Sequence, residues 1–264
     1  MRTTATTLTA LALAVTLSAC GGSADSGAPA VTGEVANLAK SIGDNTVEKN
    51  SAHMVFTGGA GGQQVTGEGD IQFGKSDTAV RMDMTTPTGP MTMVLTDGVL
   101  YLKPPTEVAP GKAWVKIDST SDGPVAKALG SLTQQLRNNA DPRRTLAQFQ
   151  TAGSITATKS EDLNGVPTTH HTITVDVRKL VEAQQDPTFK KAMTEAVDGG
   201  LKDFPVDVWL DEQDLPVRIA LAMPAPDPAT GKTTQATVQV DYSAWGAPVT
   251  IDAPPADQVT NLPS

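Results

Sequence analysis

The stretch at residues 80–101, VRMDMTTPTGPMTMVLTDGVLY, decides the fold of this chain. Apolar and polar residues alternate along it, which is typical of strands that bury one face. Two turn-like segments, Pro87-Thr88-Gly89-Pro90 and Asp97-Gly98, interrupt the alternation, and Asp-Gly is a strong signal for a two-residue hairpin loop. The stretch therefore predicts three successive antiparallel strands.

Further strands are predicted on both sides of this stretch. Alternation at 53–57 and 63–73 predicts a hairpin around the glycine run 58–62, and another strand is predicted around Trp114. Asn164-Gly165 is a second two-residue hairpin signal. The strands predicted in the second half of the chain are 154–161, 166–177, 206–210, 217–221 and 236–242.

Helical spacing separates these groups of strands. Residues 32–47 carry apolar residues at helical intervals, and Asp141-Pro142 and Asp186-Pro187 are typical of a helix N-cap followed by a proline. Another helix is predicted from the spacing of Val125, Leu129, Leu132 and Leu136. The sum is an antiparallel sheet interrupted by helices, which is the α+β class.

The beginning of the chain has the features of an export signal. Arg2 is followed by an apolar run at 8–19, too short to span a bilayer, and then by Cys20. The segment Leu17-Ser18-Ala19-Cys20 resembles the bacterial lipobox, in which the cysteine receives a diacylglycerol. We therefore predict a signal peptide at 1–19, a lipidated flexible tether at 20–31 anchored by Cys20, and a single domain at 32–264. This arrangement predicts a location on the extracytoplasmic face of the cell membrane.

The composition argues against one class of partner and against disulfide bonds. The formal net charge is −9 and the pI is about 4.8, which argues against nucleic acid as a partner because phosphate binding requires a basic surface. Cys20 is the only cysteine, so the domain is predicted to fold without disulfides.

Residues with catalytic or metal-binding chemistry are few. The chain has three histidines, and the adjacent pair His170 and His171 falls in a predicted strand, where neighbouring side chains point to opposite faces. The acidic segment 211–214 lacks the glycine and the distal glutamate of a calcium-binding loop. The sequence thus predicts a protein without enzymatic activity, and with no cofactor or metal.

Four methionines suggest a different kind of site. Met82, Met84, Met91 and Met93 occupy alternate positions of adjacent predicted strands, so they are expected to share one face of the sheet. Methionine is flexible and polarisable, which suits a surface that fits variable apolar ligands, but it is equally suited to ordinary core packing. Pocket lining and core packing both remain open at this point.

Several motifs resemble the actinobacterial LppX/LprG-type lipoproteins. The hairpin VWLDEQDLPVRI at 208–219 and the segment DYSAWGAPVTIDAPP at 241–255 are similar to the family's closing motifs, and LTDGVLY at 95–101 and LNGVP at 163–167 fit its strand–turn positions. The resemblance implies a LolA-like fold, a half-open antiparallel β-barrel with helices packed on its concave face. It also implies a hydrophobic cavity that receives a lipid or lipoglycan.

Together these observations predict a membrane-anchored lipoprotein that binds a lipid or lipoglycan and assists its transfer through the cell envelope. A membrane transporter is a further possible partner. The alternative is an envelope sensor or regulatory interaction module of the same fold. The predicted pocket residues are Met82, Met84, Met91, Met93, Leu95, Val99, Tyr101, Val208, Leu210, Ile219 and Leu221.

Overall fold

The computed structural model describes residues 34–74, 78–117, 141–183, 187–226 and 233–261. The helices in these residues are α1 (Glu34–Lys49), α2 (Pro142–Phe149), α3 (Val177–Ala183) and α4 (Pro187–Asp198), and a short 3-10 turn lies at Ala256–Gln258. The strands are β1 (Ser51–Ala60), β2 (Gln63–Phe73), β3 (Thr78–Thr86), β4 (Gly89–Thr96), β5 (Val99–Lys103), β6 (Trp114–Ile117), β7 (Gly153–Leu163), β8 (Val166–Asp176), β9 (Asp203–Leu210), β10 (Pro216–Pro226), β11 (Thr233–Ser243) and β12 (Val259–Asn261). The predicted signal peptide, the tether with Cys20 and the helix predicted through Val125 and Leu136 lie outside the described residues.

The twelve strands form one sheet in the order β12-β6-β5-β4-β3-β2-β1-β11-β10-β9-β8-β7. Neighbouring strands are antiparallel, apart from the parallel pair of β12 and β6. Since β12 and β7 stand at the two ends of this order, the described sheet stays open and is not closed into a barrel. The predicted α+β class with a half-open antiparallel sheet is confirmed.

Helix α1 forms where the sequence predicts it. Its buried residues Val35, Ala39, Ile42 and Thr46 recur at intervals of three and four, so they lie along one face. The helix ends before Asn50, whose φ is 67° and whose backbone N–H donates to the Thr46 carbonyl at 3.0 Å. This left-handed residue turns the chain directly into β1.

The β1–β2 hairpin is longer than the sequence predicts. Gly58 and Gly59 belong to β1, and only Gly61 and Gly62, both with positive φ, make the turn. The glycine run predicted as a turn therefore belongs partly to a strand. Glycine suits position 58 within the strand, because a Cβ there would lie 2.7 Å from Cζ of the Phe56 ring.

Two other hairpins follow the sequence closely. Asp97 and Gly98 have φ of 51° and 75°, and Asn164 and Gly165 have φ of 56° and 85°. Two successive left-handed residues are the requirement of a type I′ turn. These turns fix the register of β4 with β5 and of β7 with β8, because a two-residue loop leaves no freedom to slide.

The main core lies on the concave face, between the sheet and the helices. Leu146 and Phe149 of α2 and Val177 and Leu180 of α3 belong to one buried cluster with residues of α1 and with the inward side chains of the sheet. The Phe149 ring meets the Phe204 ring edge to face at 6.1 Å. The described helices therefore cover the concave face, as the resemblance implied.

A smaller apolar cluster lies on the opposite, outer face. Val94, Trp114 and Ile251 are buried there, and Tyr101 and Val259 pack against them. The C-terminal segment supplies Ile251 and Val259, so it covers the outer face of β4, β5 and β6. This segment continues into β12, which extends the sheet beyond β6.

A buried ion pair fixes helix α2 to the sheet. Asp141 is fully buried and caps α2 by accepting from the backbone N–H of Arg143 at 3.0 Å. Arg143 Nη2 also donates to Asp141 Oδ2 at 2.6 Å, and Thr78 Oγ1 of β3 donates to the same oxygen at 3.2 Å. The Asp141 carboxylate thus connects the start of α2, the salt bridge to Arg143 and strand β3.

We predict that Asp141→Ala lowers the free energy of unfolding by about 3 kcal/mol, because it removes the buried cap of α2 and leaves the half-buried guanidinium of Arg143 without its carboxylate partner. Urea denaturation measures the change. Asp44→Ala is the matched control, since it removes an exposed i, i+4 ion pair with Lys40 that contributes less than about 0.5 kcal/mol. Equal effects of the two substitutions would contradict this account of α2.

Candidate functional site

The concave face carries apolar side chains that are only half-buried. All of them except Met91 pack against the main core, and they lie on β1, β3, β4, β5, β10 and β11 in the middle of the sheet. We call this set the apolar strip. Its members are Phe56, Met84, Met91, Leu102, Leu221, Met223 and Val240.

The register places much of the apolar strip in one transverse row. Met91 is opposite Met84, Met84 is opposite Gly67, Gly67 is opposite Phe56, and Phe56 is opposite Val240. Directly opposite residues on one face have Cβ atoms about 5 Å apart. The row is therefore a continuous apolar surface across β4, β3, β2, β1 and β11.

Gly67 shapes the middle of this row. A Cβ at this position would lie 3.1 Å from Met82 Sδ and 3.1 Å from Met84 Cγ. The absence of a side chain lets both methionines lean over β2. Two flexible thioether side chains thus meet above the strand, and their rotamers can adapt to an apolar neighbour.

The structure divides the predicted pocket residues into three groups. Met84, Met91 and Leu221 belong to the apolar strip. The second group is buried in the main core and consists of Met82, Met93, Leu95, Val208, Leu210 and Ile219. The four methionines do share one face, as Met82 is opposite Met93 and Met84 is opposite Met91.

Val99 and Tyr101 form the third group and lie on the outer face, which corrects their assignment to the pocket. The two-residue loop pairs Leu95 with Leu100, so the inward positions change from odd numbers in β4 to even numbers in β5. Leu100 and Leu102 consequently face the core, and Tyr101 packs in the outer cluster. Val99 and Tyr101 would face the core only if the inward positions stayed odd-numbered after the loop.

Four members of the apolar strip are not among the predicted pocket residues: Phe56, Leu102, Met223 and Val240. A signal for two of them was present. The register of the Asp97-Gly98 loop predicts that Leu102 faces inward. Phe56 alternates with His53, Val55 and Thr57, so it is expected on the opposite face from these three residues. Met223 and Val240 lie in long strands whose pairing becomes visible only in the sheet.

The outer face behind the apolar strip is polar and charged. Cross-strand neighbours there form a second row, one residue out of phase with the inner one, which we call the outer row. It consists of Lys159, His170, Trp209, Arg218, Asp241, Val55, Glu68, Asp83, Thr92 and Lys103. Strands β4, β3, β2, β1 and β11 carry both rows, so each of these strands separates the apolar strip from the outer row.

Ion pairs and stacking hold the outer row together. Arg218 Nη2 donates to Asp241 Oδ2 at 2.9 Å, and this hydrogen bond raises the pKa of the guanidinium. The His170 ring stacks on Trp209 with centroids 4.0 Å apart. Trp209 Nε1 donates to Glu161 Oε1 at 2.6 Å, and hydrogen bonds from Lys159 and Trp209 lower the pKa of Glu161.

A cleft of about 570 Å³ lies on the outer face, behind the apolar strip, because most of its lining residues, among them Val55, Glu68 and Asp83, share the face of the outer row. Met84 and Met91 contribute to its lining together with residues of the outer row. The polar part of the lining is rich in hydrogen-bond acceptors, because it includes the carboxylates of Glu68 and Asp83. Thr92 Oγ1 donates to Asp83 Oδ1 at 2.6 Å across the same cleft.

The histidines are engaged in separate polar contacts. His170 Nε2 lies 2.8 Å from Asp207 Oδ1, and its Nδ1 lies 2.9 Å from Glu161 Oε1, so each ring nitrogen faces a carboxylate. His53 Nδ1 lies 3.0 Å from Asp70 Oδ1. No group of three or more metal-ligating side chains occurs among residues that the structure describes.

Within the described ranges, none of the helices has both the length and the apolar character needed to cross a membrane.

Comparison with known sequences gives limited similarity. No protein-family model matches the chain. An uncharacterized 31.2 kDa protein of Streptomyces griseus, encoded in the rplA-rplJ intergenic region, is 26% identical over 158 residues, which are 58% of this chain and 49% of that protein. The chain thus spans about half the length of the curated relative that it matches.

Solved structures with a similar arrangement include LprF from Mycobacterium bovis, with a TM-score of 0.49 and 17% identity over 85% of this chain and 99% of that chain. The MucA/MucB complex of Pseudomonas aeruginosa is also similar, with a TM-score of 0.36 and 14% identity over 85% of this chain and 60% of the other. LprF is an LppX/LprG-type lipoprotein, the type that the sequence motifs resemble. The fold described above rests on the strand pairing of this chain alone.

The apolar row ends at a titratable group, and this generates a prediction about pH. His171 lies opposite Val208, and its Nδ1 is 3.0 Å from Thr158 Oγ1. Burial, followed by the neighbouring charge of His170, lowers the pKa of His171 below its usual value. A proton therefore binds more weakly to His171 in the folded chain than in the unfolded chain, where the pKa is about 6.5. Stability from this group is present above that pH and is lost as the pH falls.

We expect His171→Gln to reduce the loss of stability between about pH 7.5 and about pH 5.5, because it removes the group that takes up a proton on unfolding. Urea denaturation of the variant and of the unmodified chain at several pH values measures the slope. His53→Gln is the control for replacing a histidine elsewhere. Identical pH slopes for the His171 variant and the unmodified chain would disprove the assignment.

Proposed function

We propose that this chain is an exported lipoprotein, anchored by Cys20 at the extracytoplasmic face of the membrane, that holds an acyl chain of a lipid or lipoglycan on the apolar strip and assists its transfer through the envelope. The observation that carries the proposal is the continuous row from Met91 through Met84 and Phe56 to Val240. Binding alone accounts for this function, and no catalytic step is required.

The energetics of lipid transfer support this proposal. Each acyl CH₂ exposed to water costs about 0.8 kcal/mol, so a 16-carbon chain costs on the order of 12 kcal/mol. A lipid leaves a bilayer readily only where another apolar surface receives the chain. The half-buried side chains of the apolar strip offer such a surface, because all of them except Met91 already contact the core on one side.

The residue types in the apolar strip fit a ligand of variable shape. Met84, Met91 and Met223 are unbranched and can change rotamer at low cost. The Phe56 ring lies over Gly58, and the methionines lean over Gly67, so glycines give the larger side chains room to move. An acyl chain, which has many conformers of similar energy, is the natural partner of such a surface.

Filling the apolar strip tests the proposal. Met84→Trp places a bulky ring in the transverse row, and we expect it to lower the occupancy of co-purified lipid and the affinity for a fluorescent fatty acid about tenfold, which corresponds to roughly 1.4 kcal/mol of lost contact. Native mass spectrometry of the full chain measures the occupancy.

The matched control is Val55→Trp. Val55 precedes Phe56 on β1, but it is 41% exposed and points to the outer face, so the same large ring is added away from the apolar strip. Lipid occupancy should be unchanged in this variant. Equal occupancy in both variants would contradict the location of the site. An empty unmodified protein that captures a membrane protein would favour the sensor or interaction module instead.

A further inference from the structure

The two edges of the sheet differ in length. β12 ends one side with three residues, whereas β7 ends the other side with eleven. Among the described residues, β7 pairs with β8 alone, and residues 156–160 together with Asp162 are exposed. An edge strand presents unpaired backbone N–H and C=O groups, which can pair with a strand of another chain. β7 is therefore a candidate interaction surface.

The Asn164-Gly165 turn determines which backbone groups of β7 point away from the sheet. A turn of this kind joins its first and fourth residues by a hydrogen bond, and these residues are Leu163 and Val166. Hydrogen-bonded and non-hydrogen-bonded pairs alternate along an antiparallel ladder, so positions 157, 159, 161 and 163 bond to β8. The backbone groups of the intervening positions point to the open edge, and these positions are Thr158, Ser160 and Asp162.

The sequence of this edge is complementary to itself. Residues 157–163 read ATKSEDL and follow a bulge between Ile155 and Ala157, which interrupts the ladder. Two antiparallel copies of this segment can be aligned with Ser160 opposite Ser160. Lys159 of each copy is then opposite Glu161 of the other, and opposite charges in such pairs stabilise a sheet. The same alignment pairs the remaining positions as Thr158 with Asp162 and Ala157 with Leu163.

Other symmetric alignments oppose like charges or leave the lysine without a carboxylate. Centring the pairing on Lys159 opposes two lysines, and centring it on Glu161 or Asp162 opposes two carboxylates. Centring it on Thr158 leaves Lys159 without a carboxylate opposite. Like charges directly opposite destabilise a sheet, and a lysine on an edge strand opposes most pairings. The charges therefore favour the alignment at Ser160.

We propose that β7 docks on the β7 edge of a second copy of this chain, antiparallel, with Ser160 on the two-fold axis. Each of the three outward positions forms a hydrogen-bonded pair and exchanges both of its backbone hydrogen bonds. The axis is perpendicular to the sheet, so the two sheets continue into each other and their concave faces point the same way. The apolar strip has no member on β7 or β8. The pairing is thus independent of the proposed lipid site and goes beyond the proposed function.

The charged side chains at this edge are already placed for such a pairing. Glu161 Oε1 accepts from Trp209 Nε1 at 2.6 Å, which holds the carboxylate on the outer face. Lys159 Nζ lies 2.9 Å from Glu161 Oε2, and 60% of the lysine side chain stays exposed. Positions 159 and 161 form non-hydrogen-bonded pairs in the proposed ladder, where opposite side chains approach closely. Each carboxylate thus lies between a lysine of its own copy and a lysine of the other.

Disulfide trapping tests the alignment. Ser160→Cys brings two thiols together on the axis, since the Cα atoms of a hydrogen-bonded pair are about 5.5 Å apart and disulfides span about 4.4–6.8 Å between Cα atoms. Thr158→Cys is the matched control. It is exposed on the same strand and the same face, but in the proposed alignment its two copies are offset along the strand by roughly 14 Å.

Under mild oxidation of the full chain, we expect at least about fivefold more disulfide-linked dimer from Ser160→Cys than from Thr158→Cys, measured on non-reducing gels. The unmodified chain, whose only cysteine is Cys20, gives the background. Equal yields from the two variants, or a background yield from Ser160→Cys, would overturn the inference.

Charge exchange separates pairing between copies from effects within one chain. Lys159→Glu and Glu161→Lys each place like charges opposite each other, so we expect each change, added to Ser160→Cys, to lower the dimer yield about tenfold. A mixture of the two variants restores every opposite-charge pair between unlike copies. The mixed disulfide, identified by mass spectrometry, should therefore return to within about twofold of the yield with unmodified charges.

Both charge variants lose the ion pair between positions 159 and 161 of their own chain, so a change in folding cannot explain recovery in the mixture. A mixture that yields no more dimer than either variant alone would refute pairing with a second copy. That result would assign the edge to an extended segment of a different protein.

Discussion

The structure depends on the register of its antiparallel strands. Side chains alternate between the two faces with a period of two, so one continuous register across the six strands β4, β3, β2, β1, β11 and β10 creates an apolar row inside and a charged row outside. A slip of one residue between β2 and β3 would bring Asp83 toward the core and Met84 to the solvent. The type I′ turns at Asp97-Gly98 and Asn164-Gly165 prevent such slips at their hairpins, and the buried carboxylate of Asp141 ties the register to the helices.

Much of the fold follows from local sequence signals. The alternation in residues 80–101, the two hairpin dipeptides and the proline after Asp141 each correspond to the predicted element, because short-range sterics decide hairpin turns and helix starts. The order of the strands in the sheet does not follow in the same way. The pairing of β1 with β11 joins segments nearly 200 residues apart, and no local pattern encodes it; only the resemblance to a known family suggested it.

The candidate site was predictable in part, for reasons that can be stated residue by residue. Met84 and Met91 follow from alternation on both sides of a turn. Val99 and Tyr101 lie on the outer face, contrary to prediction, because a two-residue loop changes the parity of the inward positions, and this rule can be applied to the sequence alone. Phe56 also follows from alternation, but the half-burial of Phe56 and Met223 does not, since a half-buried apolar residue and a buried one give the same pattern. The helices decide which inward residues are covered, and packing of that kind depends on the whole fold.

The open sheet has a consequence for the size of the lipid that we propose it binds. A closed barrel has a circumference fixed by its number of strands and their stagger, and widening it breaks a ladder of hydrogen bonds. Here the terminal strands β12 and β7 share no ladder, so the curvature of the sheet can relax while every strand keeps its partner. The capacity of the concave side is thus set by how the helices pack against it. The sheet that we propose as a lipid-binding surface can therefore fit thin and bulky ligands by bending, whereas a rigid barrel would select for one size.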